Sequence, residues 1–275
     1  MSRASTRSAS IGRIEVIAAD RAPWWAPPLL AVQFLTRIPV PVLARLSPDQ
    51  AGDGLARALA WLPIVGTLIG SVTAATFFAA GLIWPPVIAA LLALAVEALL
   101  TGAFHEDAVA DFCDAFGGTA TGDDAVRIMR DSRIGTYGAI GLGFSVALRL
   151  AAIVALPTAL ATAAIVAAAT FGRFWAVSLA AILASRAEAG GVAARMGSRV
   201  PRGRWAAAVL LTMPGVVPLA VLDPMPLLIA TGLGMVFLWW LARFLEARIG
   251  GTTGDCLGFA AYMGQVSLLL AVIAL

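Results

Sequence analysis

Long apolar runs and short polar stretches alternate along almost the whole chain. The runs cover about 58–80, 87–103, 138–156, 159–184, 206–222 and 226–245, with a last one after a Gly-rich turn, ending at Leu275. Each is near the roughly 20 residues that a helix needs to cross a bilayer's hydrocarbon core. The pattern predicts an all-α, polytopic membrane bundle of about six to eight crossings, forming one domain over 28–275. The run at 28–44 is broken by Pro39 and Pro41 and preceded by Trp24 and Trp25, so it reads as re-entrant or interfacial. Residues 1–27 read as a flexible or interfacial tail. Their Ser-, Ala- and Arg-rich start has no apolar core of the kind a cleaved leader carries.

Composition agrees. Hydrophobic residues make up 60% of the chain and charged ones 13%, with mean hydropathy +0.91, which excludes an ordinary soluble domain. All 19 basic residues are arginine, so a lysine Schiff base and a P-loop lysine are both ruled out. The positive charge is divided among loops rather than gathered on one soluble face, which argues against nucleic acid and for membrane lipids and phosphorylated substrates. Cys113 and Cys256 are too few for a disulfide framework. With the runs threaded alternately, the arginine-bearing loops 127–133, 185–204 and 243–248 fall on the N-terminal side. The turns 81–86, 157–158 and 223–226 on the other side carry no basic residue. That asymmetry places the N-terminus and the three loops in the cytoplasm, as expected of a multi-pass protein of a bacterial inner membrane.

The chemistry is concentrated between Glu97 and Tyr137. Eight of the 16 carboxylates lie there, with the single histidine, His105. Asp107, Asp111 and Asp114 stand at i, i+4 and i+7 and so share one helix face. Carboxylates crowded this way repel one another unless a cation holds them. Oxygen ligands suit Mg²⁺, or Mn²⁺, which keep waters and take substrate phosphates as further ligands. One histidine and two distant cysteines make zinc a poor match. Arg127, Arg130 and Arg133 follow as a basic face suited to phosphate.

Other groups are candidates beside them. The turn Gly250-Gly251-Thr252-Thr253-Gly254-Asp255 could bring backbone N–H groups to an anion, with Asp255 as a further metal ligand. Arg173, inside the fourth run, reads as a ligand for substrate phosphate or as half of a buried ion pair, with Glu97 as a partner. Arg149 reads as a side chain snorkelling to an interface. His105 and Glu106 are candidates for proton transfer, and His105 equally for capping a helix end.

Two stretches, Thr101-Gly102-Ala103-Phe104-His105-Glu106-Asp107-Ala108-Val109-Ala110-Asp111 with Asp114 beyond, and Ile128-Met129-Arg130-Asp131-Ser132-Arg133-Ile134-Gly135-Thr136-Tyr137-Gly138, resemble the motifs of the adenosylcobinamide-GDP ribazoletransferase family, also called cobalamin (5′-phosphate) synthase. Leu35–Pro39 and the Gly250–Gly258 turn are similar to its terminal motifs. The chain departs from the family pattern at Ala108 and Ala115, where glycine is usual, and at Gln265, commonly acidic. The resemblance implies a Mg²⁺-dependent transfer: a ribose hydroxyl of α-ribazole, or of its 5′-phosphate, attacks the cobinamide-linked phosphorus of adenosylcobinamide-GDP and GMP leaves. On that basis Asp107, Asp111, Asp114 and Asp255 hold metal, and Arg130 and Arg133 neutralise the diphosphate. His105 or Glu106 takes the proton, and Arg127, Arg173, Gly250, Gly251, Thr253 and Gly254 bind substrate. Association with other corrinoid-assembly enzymes is a further expectation. Two alternatives stay open. A CDP-alcohol phosphotransferase also uses helix-spaced aspartates, but needs Asp-Gly and Ala-Arg pairs that this chain does not offer. A cation transporter would put its carboxylates near the bilayer midplane.

Overall fold

The computed structural model of the chain describes residues 21–186 and 199–275. The tail 1–20, Arg195 and residues 196–198 of the basic loop lie outside them. Eleven α-helices are present among the described residues: α1 Ala26–Leu35, α2 Pro48–Ala58, α3 Leu62–Gly81, α4 Pro86–Thr101, α5 Phe104–Gly117, α6 Gly122–Met129, α7 Thr136–Ala155, α8 Thr158–Ile182, α9 Arg202–Leu222, α10 Met225–Ile249 and α11 Gly254–Ile273.

Six of the expected crossings are single helices by length and composition. They are α7 to α11 and the stretch Pro48–Gly81, in which α2 runs through a 3-10 turn at Leu59–Trp61 into α3. The remaining run, 87–103, is α4, 16 residues long and followed after two residues by α5 at an angle of 87°. The pair makes a seventh crossing only if counted together. The segment 28–44 does not span: α1 has ten residues, about 15 Å, and a 3-10 turn follows at Pro41–Arg45. Instead α1 packs against α2, whose start is fixed by a capping box between Ser47 and Gln50.

The bundle is built around α8. Its neighbours are α3, α11 and α9, and its buried residues include six alanines and Gly172. Small side chains let membrane helices approach closely, where dispersion and not water drives association. Gly172 is the extreme case: a Cβ there would run into the carbonyl oxygen of Ala261 on α11. Gly172→Ala should therefore push α8 from α11 and cost about 1–3 kcal/mol, seen as a lower thermal midpoint in detergent. Gly232→Ala, next to open space on α10, should leave the midpoint unchanged. By contrast α7, α9 and α10 expose most of their apolar surface, as helices on the lipid-facing rim do.

The loops at one end of the bundle are tied together. Arg186 N–H donates to the Thr252 carbonyl (2.9 Å) and Thr252 N–H to that of Ala184 (3.0 Å). Arg248 donates to the Ala120 carbonyl at 3.1 Å. The Thr253 hydroxyl lies 3.5 Å from Met129 Sδ. The acidic segment, the start of the basic loop and the glycine turn thus meet on one face.

Candidate functional site

The acidic stretch is helical over Phe104–Gly117, as its spacing predicts. α4 stops because Gly102 (φ 71°) and Ala103 (φ 57°) both take left-handed conformations. Glycine does this without penalty. At Gly102 the Arg37 side chain also fills the place a Cβ would need. At 14 residues and with four carboxylates, α5 is too short and too polar to be a crossing of its own.

Its two faces differ. His105, Val109 and Phe112 are buried, with Phe112 stacked on Phe259 of α11 at 3.7 Å. Asp107 is exposed and Asp111 and Asp114 half-buried on the other side. Asp255, in the first turn of α11, is close enough for its charge to act on Asp111, as do those of Asp107 and Asp114. Partial burial comes first and this crowding second, and together they raise the Asp111 carboxyl to about 7. A cation placed among these carboxylates would favour their charged forms.

Asp114 has a second task. Its two oxygens accept the N–H groups of Gly135 (2.6 Å) and Gly138 (2.8 Å), capping α7 where the positive end of the helix dipole favours a carboxylate. The arginine loop 130–135 is thereby fastened to the acidic helix.

Next to that loop is a pocket of about 470 Å³ lined by Asp123, Val126, Arg127, Arg130, Asp131 and Arg186. Arg127 also pairs with Asp124 at 3.3 Å, both exposed. Arg130 lies near Asp255, so the pocket borders the carboxylates. Arg133 does not line it. Arg133 extends into solvent and holds Asp131 at 2.6 Å, and its hydrogen bonds keep that carboxyl down at about 2.

Beneath α5 lies a buried ionic cluster from the crossings. Arg149 Nη2 is 2.8 Å from Glu97 Oε2 and its Nη1 3.6 Å from Glu106 Oε1, with the guanidinium 5.2 Å from the centre of the Tyr262 ring. Thr73 donates to Glu97 as well. Arg149 is therefore a buried partner and not a snorkelling one, and the mate of Glu97 is Arg149 rather than Arg173. Arg173 is buried within α8, with one bond to the Ala169 carbonyl.

The sequence-derived site is thus split. Asp107, Asp111, Asp114 and Asp255 are brought together, with Arg127 and Arg130 adjoining. His105 faces the interior, Glu106 turns to Arg149, and Arg173 stays in the buried layer, so these three are not brought to the carboxylate face. In the glycine turn Gly250 is exposed, while Gly251 lies against Ala184 and Arg186. Thr253 is buried, its hydroxyl capping α11 by accepting Cys256 N–H. Gly254 is half-buried at the start of that helix. Arg186 and Asp123 of the pocket went unrecognised as site residues.

The donor set fits Mg²⁺ in kind: all oxygen and all acidic. Among the described residues no three acidic, His or Cys side chains stand close enough to clasp a metal by themselves. A hard cation that retains waters and takes substrate oxygens does not require such a cage.

A sequence profile described as "Cobalamin-5-phosphate synthase" matches residues 27–273. Similar proteins include the adenosylcobinamide-GDP ribazoletransferases of Ralstonia nicotianae, 38% identical over 89% of this chain and 93% of the relative, and Ralstonia pickettii, 39% over 91% and 96%. The one from Shewanella frigidimarina is 35% identical over 89% and 93%. No solved structure matches.

Proposed function

The chain belongs to the cobalamin-5-phosphate synthase family, and from that footing we propose that it joins α-ribazole, or its 5′-phosphate, to adenosylcobinamide-GDP with release of GMP. The observation supporting this is the junction of four carboxylates with an arginine pocket across the loop that Asp114 fastens. A diphosphate brings negative charge that guanidinium groups can meet, and this site offers both halves of what its displacement needs.

Arg127 and Arg130 hold the diphosphate, and their forked donors set its orientation. Asp107, Asp111, Asp114 and Asp255 are the residues that would hold Mg²⁺. When bound, the ion neutralises charge on the transferred phosphoryl group. The ribose hydroxyl forms the new P–O bond as the bond to GMP breaks, and its proton passes to water. Positioning of the two reactants lowers the barrier further. The arginine-rich end is cytoplasmic and the protein resides in a bacterial inner membrane, where both nucleotide substrates and Mg²⁺ are at hand.

The test is purified protein in nanodiscs with Mg²⁺, adenosylcobinamide-GDP and α-ribazole phosphate, scored for GMP. Absence of GMP, or cation flux into liposomes without nucleotide, would overturn the reading. A pH dependence follows too. A carboxyl raised to about 7 binds its proton more tightly in the fold than in the unfolded chain. Metal-free stability should then fall as pH rises from the ordinary aspartate range to 7, and level off above it. Mg²⁺ has to displace that proton, so its apparent affinity should drop by up to about tenfold per pH unit below 7. Titration of Mg²⁺ by calorimetry at pH 6 and pH 8, with proton release measured, checks the sign.

A further inference from the structure

We propose that Arg186 is a third arginine of the diphosphate site, held by Asp123 until the anion takes its place; this rests on the reading above. The two partners are unequally exposed. The Arg186 side chain is 15% exposed and that of Asp123 is 89%. The cation is set into the wall, while its carboxylate approaches from solvent on the first turn of α6. Arg186 is fixed from behind as well. Its N–H bonds to Thr252 and Thr252 bonds back to Ala184, so its backbone is joined to the glycine turn that leads into Asp255. The side chain thereby lines the same pocket as Arg127 and Arg130.

Charge in that pocket favours an anion. Three arginines and two aspartates line it, a formal surplus of one positive charge; from outside, Arg133 engages Asp131 and Asp124 engages Arg127. An ion pair with so exposed a carboxylate adds little stability. A diphosphate offers more oxygens and more charge, and meets the fork of a guanidinium in two places at once. The pocket is also within the usual size range of small-molecule sites.

The test uses full-length protein in nanodiscs. It compares wild type with Arg186→Ala, Arg186→Lys and Asp123→Asn, measuring Kd for inorganic pyrophosphate and KM and kcat for adenosylcobinamide-GDP. Arg186→Ala should weaken both pyrophosphate binding and KM about tenfold or more, with a smaller loss in kcat. Arg186→Lys should lie between, since it keeps the charge and loses the fork. Asp123→Asn removes the competitor and should tighten pyrophosphate binding several-fold. The proposal falls if Arg186→Ala or Arg186→Lys binds pyrophosphate like wild type, or if Asp123→Asn weakens binding as Arg186→Ala does, the mark of a structural pair. Arg186-dependent pyrophosphate binding in a wild type that releases no GMP would keep the anion site and remove the transferase reading instead.

Discussion

Asp111→Asn is expected to lower turnover by about 10³-fold or more, about 4 kcal/mol of transition-state stabilisation, and to leave the protein folded. Asparagine keeps the shape of the side chain and removes the charge that Mg²⁺ requires. Asp111 is partly buried and feels the charges of Asp107, Asp255 and Asp114. Stability separates this role from a structural one. If Asp111 held the fold, losing its carboxylate would lower the thermal midpoint. Here the repulsion would be relieved, and without Mg²⁺ the variant should melt at or above the wild-type temperature. Mg²⁺ should raise the midpoint of wild type by mass action and that of the variant much less. Asp49→Asn, exposed on the first turn of α2, serves as the control and should turn over normally. GMP release and thermal unfolding on the same samples decide it. Near-normal turnover by Asp111→Asn would remove the carboxylates from the reaction.

What could be read ahead of the structure divides by sequence distance. The crossings show because the bilayer demands a length and a composition, and both are local. Asp107, Asp111 and Asp114 show because a helix repeats every 3.6 residues, so spacing alone puts them on one face. The same rule also puts His105 on the opposite face, although nearness in sequence makes it look like a neighbour. The 87° break after α4 left one local trace, Gly102. Nothing in residue type announces that Ala103 shares its left-handed backbone.

Pairings between distant segments left no trace at all. Arg186 meets Asp123 across 63 positions, and Arg149 meets Glu97 across 52. An arginine in a crossing can satisfy its charge by reaching an interface or by finding a carboxylate. Periodicity does not choose between the two, so Arg149 reads as snorkelling until its partner is in view. Asp114 is the intermediate case. Its place on the acidic face is plain from spacing, yet its hold on Gly135 and Gly138 depends on how α5 lies against α7.

Glu97→Gln should be the most destabilising single change in the buried layer, at about 3–5 kcal/mol. Glu97 and Arg149 are almost fully enclosed, with side-chain exposures of 3% and 4%. Their pairing offsets a desolvation that neither could bear alone. Without the carboxylate, Arg149 keeps the longer contact to Glu106 and its contact with Tyr262, with Arg173 repelling it from close by. Two guanidinium groups would then share one carboxylate inside a membrane bundle. The consequence reaches the site, because Glu106 is in the first turn of α5. As Arg149 draws harder on Glu106, the helix that carries the aspartates should shift, so turnover should fall with stability. A loss of this size corresponds to a midpoint lower by on the order of 10 °C in detergent. Removing both charges is the decisive comparison. Glu97→Gln with Arg149→Met leaves the layer balanced, with one carboxylate, Glu106, and one guanidinium, Arg173, within reach of each other's charge, and should recover much of the midpoint that Glu97→Gln alone loses. If the double variant is as unstable as the single one, the damage comes from lost packing rather than from an uncompensated charge.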